Sequence, residues 1–183
     1  MPRRDNGAVP APDLDPADGA PSPDLDRIDR VVRLGAADAG ELLTLQRAAY
    51  VTEAQLHDDV RLPPLVQSLE QLRTELSAPH VTAWGVRRAG RLVAAVRLRD
   101  LGHGTVELGR LVVAPDVQGS GLGSRLLTDA ERLAPEGTTA VHLFTGERSE
   151  ANLRLYRRHG YVETHRTPAG GHDLVHLVKQ LAG

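Results

Sequence analysis

The sequence predicts an α/β fold built on a mixed sheet, and three observations carry that prediction. Runs at 81–87, 92–99 and 105–113 follow one another with the composition and alternation of strands. Two stretches with apolar residues at helical spacing, 121–134 and 149–159, then alternate with further strand-like runs. The run at 138–145 is largely apolar, as expected of a strand buried in a parallel pair. The resulting order is strand, two helices, three strands, helix, strand, helix, two strands.

Each element has a local reason. Residues 1–27 hold Pro2, Pro10, Pro12, Pro16, Pro21 and Pro23 among repeated aspartates, with few large apolar side chains. Such a segment cannot offset its ordering entropy, and a disordered arm is expected, leaving 28–183 as one folded domain. Val31, Val32 and Leu34 mark a first strand. Asp38 with Glu41 has the spacing of a capping box and opens a helix carrying Leu42, Leu43 and Leu45. Pro63 and Pro64 interrupt the chain before Ser68 with Gln71 starts a second helix, its Leu69, Leu72 and Leu76 on one face. Pro79 ends that helix. Arg88-Ala89-Gly90-Arg91 reads as a tight hairpin, and 100–104, with two glycines, as a second turn. Leu122, Leu126, Leu127, Ala130 and Leu133 stripe the helix at 121–134. Ser149 is placed to cap the last helix, which stops at Gly160. Runs at 161–165 and 173–181 form a closing hairpin.

Composition excludes several classes of function. The chain has 183 residues, 40% hydrophobic and 25% charged, which suits one soluble domain with a real core. It has no cysteine, so disulfides, thiolate zinc sites and a cysteine nucleophile are excluded. A formal charge of −2 and an aromatic content of 3% give neither the basic footprint nor the stacking surface of a nucleic-acid binder. No apolar run is long enough to span a bilayer and no secretion signal is visible, so a cytoplasmic protein is expected. Of eight histidines only His172 and His176 stand four apart, in a stretch read as turn and strand, and no metal is expected.

The most informative stretch is Leu111-Val112-Val113-Ala114-Pro115-Asp116-Val117-Gln118-Gly119-Ser120-Gly121-Leu122-Gly123-Ser124. A strand ends before a proline, and alternating glycines open a helix. Free N–H groups at a helix N-terminus, with the macrodipole behind them, suit a diphosphate. The plainer alternative is a glycine-rich turn that only redirects the chain. A Walker motif is absent because no lysine follows the glycines. The dinucleotide pattern is broken at Ser124, and Ser120 lacks the G-x-S-x-G elbow of acyl-serine hydrolases.

Gln118-Gly119-Ser120-Gly121-Leu122-Gly123 resembles the Q/R-x-x-G-x-G/A signature of the GNAT superfamily of acyl-CoA N-acyltransferases. A second segment, Thr145 to Tyr156 followed by Gly160-Tyr161, is similar to that family's other CoA-side segment, with Asn152 and Tyr156 at its recurring positions. The resemblance covers about residues 30 to 181. It implies a mostly antiparallel sheet of about seven strands, about four flanking helices and one splayed parallel strand pair. It also implies acetyl-CoA as cosubstrate, no metal, a small-molecule or peptide amine as acceptor, and direct attack on the thioester. Neither nucleic acid nor membrane is an expected partner, and a homodimer is common in the family.

By the same resemblance, amides of Gln118, Gly119, Ser120, Gly121, Leu122, Gly123 and Ser124 would hold the pyrophosphate. The main chain of Leu111, Val112 and Val113 would follow the pantetheine arm, with the Val113 N–H facing the developing oxyanion. Asn152 would contact the CoA arm, and Tyr156, one helical turn on, would protonate the leaving thiolate. Simple core packing is the plainer reading of Tyr156. Glu107 matches the place of a glutamate base in some members, and strict alternation puts Glu107, Gly109, Leu111 and Val113 on one strand face. Its plainer reading is an ion pair with Arg97 or Arg99. Acceptor choice is expected from the first two helices, where Glu53, Asp58 and Asp59 could attract a cationic amine. Two rival readings stay open: a non-catalytic acyl-CoA sensing module, and a nucleotide-binding domain of another class.

Overall fold

The computed structural model describes residues 29–181. The arm expected at 1–27 lies outside the described residues. A seven-stranded sheet has the order β1-β2-β3-β4-β5-β7-β6. Its strands are β1 (Arg30–Leu34), β2 (Val81–Arg88), β3 (Arg91–Gly102), β4 (Thr105–Val113), β5 (Ala140–Gly146), β6 (Val162–Pro168) and β7 (Asp173–Gln180). The helices are α1 (Ala39–His57), α2 (Pro63–Val66), α3 (Leu69–Ser77), α4 (Leu122–Arg132) and α5 (Glu150–Arg158). All neighbouring strands are antiparallel except β4 and β5. That is the expected fold class, with one helix more than expected. Pro63 and Pro64, read as an interruption, instead begin the single-turn α2, where proline's fixed φ and missing N–H cost nothing.

Helices α1 and α3 share one apolar cluster with the sheet, through Leu42, Leu45 and Leu72 against Ala83, Leu92, Ala95 and Val112. Helices α4 and α5 share the other, through Leu126, Leu127, Leu153 and Tyr156 against Val96, Leu108, Val141 and Leu177. The sheet is thus the middle layer of three.

Ser68 and Gln71 form the expected capping box, with the Gln71 N–H donating to Ser68 Oγ at 3.1 Å and the Ser68 N–H to Gln71 Oε1 at 2.8 Å. Asp38 and Glu41 do not form one. The Asp38 carboxylate reaches back to accept the Gly35 N–H at 2.9 Å, closing a 3-10 turn at Ala36–Asp38. Glu41 accepts the Leu92 N–H at 2.7 Å and pairs with Arg87 at 2.8 Å, so tertiary partners displace the local cap. The first hairpin turns through Ala89 and Gly90, both at positive φ, as a two-residue hairpin loop requires.

Two irregularities shape the centre of the sheet. Strand β5 pairs with β4 only at Thr105–Glu107 against Ala140–His142, and beyond that register the two strands part. Strand β4 also carries a bulge. Its register against β3 slips between Ala95 and Arg97, and Arg110 sits at φ 54. A bulge adds one residue and reverses the alternation beyond it. Glu107 and Gly109 therefore do not share a face with Leu111 and Val113. Val106 and Leu108 lie in the α4/α5 cluster, Leu111 and Val113 pack against it, and Val112 and Ala114 face α1 and α3. Glu107 thus points to the α1/α3 side, which corrects the expectation from strict alternation.

Candidate active site

The opening between β4 and β5 is lined by main chain whose direction follows from the hydrogen-bond pattern. The Ala114 N–H donates to Val93 O at 2.8 Å, so Ala114 and Val93 form a bonded pair across β4 and β3. Bonded and non-bonded pairs alternate in an antiparallel ladder. Val113, opposite Ala94, therefore turns its N–H and C=O away from β3 and into the opening. The Gln118 side-chain amide donates to Val113 O at 3.1 Å, while the Val113 N–H keeps no protein partner among the described residues.

Past Val113 the chain makes a 3-10 turn at Pro115–Val117 and enters the glycine turn. Gly119 and Gly121 sit at φ 77 and 82, a left-handed conformation in which a side chain is strained even though the surrounding space is open. After the Val117 N–H on Ala114 O, the next backbone donor to meet a backbone acceptor is Arg125, on Gly121 O at 3.0 Å. The amides from Gln118 to Ser124 are thus without backbone partners and face the N-terminus of α4. The Ser120 hydroxyl donates to Val117 O at 2.6 Å and holds the turn's shape. Gly123 lies against Val113, where a Cβ would stand 3.6 Å from the valine side chain. A partnerless nest of this kind accommodates an anionic phosphate group.

Sequence reasoning missed the link from this turn to α5. His159 Nδ1 lies 2.9 Å from Leu155 O, which only accepts, so Nδ1 carries the proton. Its Nε2 lies 2.8 Å from the Ser124 hydroxyl. The end of α5 is thereby fastened to the start of α4.

Tyr156, on α5, is buried, with its ring edge-on to Tyr161 at 5.9 Å. Its hydroxyl meets no hydrogen-bond partner among the described residues. Burial, helped by Tyr50 and the Glu53 carboxylate, pushes the phenol well above the ordinary tyrosine value, so it stays protonated. Asn152, one turn earlier, donates its side-chain amide to Glu53 Oε1 at 3.0 Å. That leaves its carbonyl oxygen as a free acceptor.

Glu53 is the hub of a polar knot that the sequence did not reveal. Its other oxygen accepts the Ser149 hydroxyl, whose oxygen lies 3.2 Å from His57 Nε2. Ser149 therefore does not cap α5 with its side chain, as expected, but joins α5 to α1. The His57 ring lies 4.2 Å from that of His172, tilted by 33°, and so close to Gly146 that a Cβ there would stand 2.1 Å from Nε2. Burial, then the neighbouring His172, holds the His57 ring below its usual value and so neutral. The only sequence sign of this knot is the i,i+4 spacing of Glu53 and His57. Asp58 and Asp59 stay outside it, Asp58 ending α1 in a left-handed conformation and Asp59 accepting the Arg61 N–H at 2.7 Å.

Glu107 lies directly across the ladder from Arg99 and pairs with it at 2.5 Å. It borders a pocket on the α1/α3 side of the opening, with Tyr50, Glu75, Arg97, Arg110 and Phe144. Arg97 is buried and bonded to Glu75 at 2.7 Å and to Gln46, and burial lowers its guanidinium to about 10. The glycine turn and Tyr156 belong to the opposite face, so two approaches meet at the gap. Val113 and Tyr156 share the α4/α5 cluster, Glu107 turns to the α1/α3 side, and Tyr50, which lines the Glu107 pocket, also acts on Tyr156 from across the gap.

His142, His176 and His165 stack across β5, β7 and β6 at 5.4 and 4.3 Å. Stacked rings do not converge their nitrogens, and among the described residues no three His, Asp or Glu side chains are arranged to hold a metal. No described helix is long and apolar enough to cross a membrane.

Comparison with known proteins bears on the fold and the family. The ribosomal-protein-S18-alanine N-acetyltransferase of Escherichia coli superposes with a TM-score of 0.69 at 18% identity, covering 85% of this chain and 97% of that one. A PaiA N-acetyltransferase from Thermoplasma acidophilum, solved with coenzyme A, gives 0.66 at 19% identity over 81% and 98% of the two chains. A probable acetyltransferase from Staphylococcus epidermidis gives 0.72 at 13% identity over 85% and 100%. These likenesses establish the fold. Residues 42–161 match the family model of the Acetyltransferase (GNAT) family, and the chain belongs to that family.

Proposed function

We propose that the protein transfers an acetyl group from acetyl-CoA to a primary amine by direct attack on the thioester. The observation that carries this reading is the parting of β4 from β5, which leaves the Val113 N–H without a partner and aimed into a gap beside the amide-rich turn. The amides of Gln118 to Ser124 hold the pyrophosphate at the start of α4. The main chain of Leu111 to Val113 takes the place of a strand partner for the pantetheine arm, and the free carbonyl of Asn152 accepts from it.

The chemistry follows from these placements. Alignment of the amine and thioester in the gap supplies much of the acceleration. The Val113 N–H stabilises the oxygen as the amine nitrogen bonds to the carbonyl carbon and the tetrahedral centre forms. The C–S bond then breaks, and the departing sulfur takes the Tyr156 proton, which solvent restores. Glu107, reached from the α1/α3 side, receives the amine proton directly or through water. No thiol nucleophile is present to carry the acetyl group, which agrees with direct attack.

One observation favours the rival reading of a non-catalytic acyl-CoA sensor: Arg99 already occupies the Glu107 carboxylate. The test is thiol release from acetyl-CoA across a broad panel of primary amines. Release with any amine, reduced by Tyr156→Phe, supports the transferase. Binding of acetyl-CoA without release across the panel supports the sensor.

A further inference from the structure

The pocket beside Glu107 has an uneven balance of charge. Three guanidinium groups, Arg97, Arg99 and Arg110, face two carboxylates, Glu75 and Glu107. Arg97 is taken by Glu75 and Arg99 by Glu107. Arg110 has no carboxylate partner among the described residues. It lies over the ring of Tyr50 at 6.0 Å, the limit of a cation–π contact, and this holds the guanidinium at the pocket wall. Its charge opposes that of Arg97 nearby, a repulsion that an anion between them would relieve.

The backbone adds a second observation. Arg110 is the bulged residue of β4 and adopts φ 54, a conformation that glycine takes at lower cost. A long cation is therefore held at a strained position, without a carboxylate partner among the described residues, in the lining of the pocket that Glu107 also borders.

Building on the transferase reading, we infer that the acceptor is a small amine that also bears an anionic group, a carboxylate or a phosphate, and that Arg110 receives that group. A guanidinium binds either anion through two parallel N–H groups. Both pocket carboxylates already pair with an arginine, so a polycationic amine meets no unpaired carboxylate in this lining. Of the acidic residues that could attract a cationic acceptor, Glu53 already accepts hydrogen bonds from Ser149 and Asn152.

The experiment uses amines in matched pairs on the full chain. Glycine, β-alanine and glutamate are each assayed beside their carboxamides, phosphoethanolamine beside ethanolamine, and spermidine alone, with thiol release as readout. The anionic member of at least one pair should be preferred by about tenfold or more in kcat/KM, the effect of one charge-assisted pair. Arg110→Gly keeps the bulge and relieves its strain, so it should not lower the melting temperature. It should erase the preference mainly through KM, and Arg110→Lys should restore part of it. The carboxylate and phosphate pairs distinguish which anion is taken. Thiol release with no preference in any pair, or a preference that survives Arg110→Gly, would overturn the inference and leave the transferase reading intact. A separate arm titrates N-acetyl-β-alanine, N-acetylglutamate and O-phospho-N-acetylethanolamine, with their neutral counterparts, onto the CoA-bound protein. Binding that depends on both the anion and Arg110 supports the inference even without turnover, and binding indifferent to both overturns it. Absence of thiol release from every amine overturns the transferase reading alone.

Discussion

Removing one oxygen from Tyr156 separates its chemical role from its structural one. Tyr156→Phe keeps the ring, which is only 7% exposed and packed in the α4/α5 cluster, so the apolar burial is unchanged. The hydroxyl makes no protein hydrogen bond among the described residues, so its loss strands no partner. The expected change in stability is within about 1 kcal/mol. For a domain of this size that is a shift of no more than roughly 4 °C. The barrier to transfer should rise much more. A positioned general acid contributes roughly 10²- to 10⁴-fold. That corresponds to about 2.7 to 5.4 kcal/mol in the barrier. Acetyl-CoA affinity should hardly change, because the proposed pyrophosphate and pantetheine contacts come from the main chain and Asn152 and not from the Tyr156 hydroxyl. Burial keeps the phenol protonated beyond the ordinary tyrosine value of 10.0, so loss of its proton should not shape the rate at neutral pH. The assay pairs thiol-release kinetics with a melting curve and an acetyl-CoA titration. Equal kcat in variant and wild type would refute the acid role. A large fall in melting temperature would show that the hydroxyl is structural after all.

Other perturbations probe neighbouring parts of the account. Gly121→Ala forces a side chain into φ 82 in open space, a backbone penalty of about 1–2 kcal/mol. It should lower the melting temperature and weaken acetyl-CoA binding together; unchanged affinity would mean the turn does not hold the pyrophosphate. Gly146→Ala sets a Cβ 2.1 Å from His57 Nε2, which must displace a buried ring and disturb the Ser149–Glu53–Asn152 knot. A loss of about 1–3 kcal/mol is expected. That loss should largely vanish in a His57→Ala background, and equal losses in both backgrounds would contradict the contact. Stability should also depend on histidine titration. Burial lowers His57, His142 and His176 below the ordinary 6.5, so the unfolded chain binds more protons than the native one at acidic pH. Stability is then full above 6.5 and declines as pH falls through the lowered native values. Melting curves between about pH 8 and about pH 5.5 should show the decline, flattened in part by His176→Gln. A melting temperature that rises on acidification would contradict the assignment.

Local chemistry made most of the scaffold legible. The Ser68/Gln71 cap, the Ala89-Gly90 turn and the Gln118-to-Ser124 motif each carry their reason within a few residues, and the structure places them accordingly. What was missed depends on partners distant in sequence. Asp38 and Glu41 have capping-box spacing, but Arg87 and the Leu92 N–H claim them first. Ser149 has the identity of a cap, but Glu53, 96 residues away, takes its hydroxyl. The Arg110 bulge left no mark in the sequence, because a non-glycine residue at positive φ looks like any strand residue, and it alone moved Glu107 to the other face.

The central claim is that the β4–β5 gap and the α4 turn together bind acetyl-CoA, and a thermal-shift titration tests it most directly. Acetyl-CoA at about a hundredfold over its Kd should add roughly 2.7 kcal/mol. The melting temperature should then rise by roughly 5–10 °C, with no comparable shift from NAD. No shift at millimolar acetyl-CoA would reduce the free amides to architecture and contradict the account.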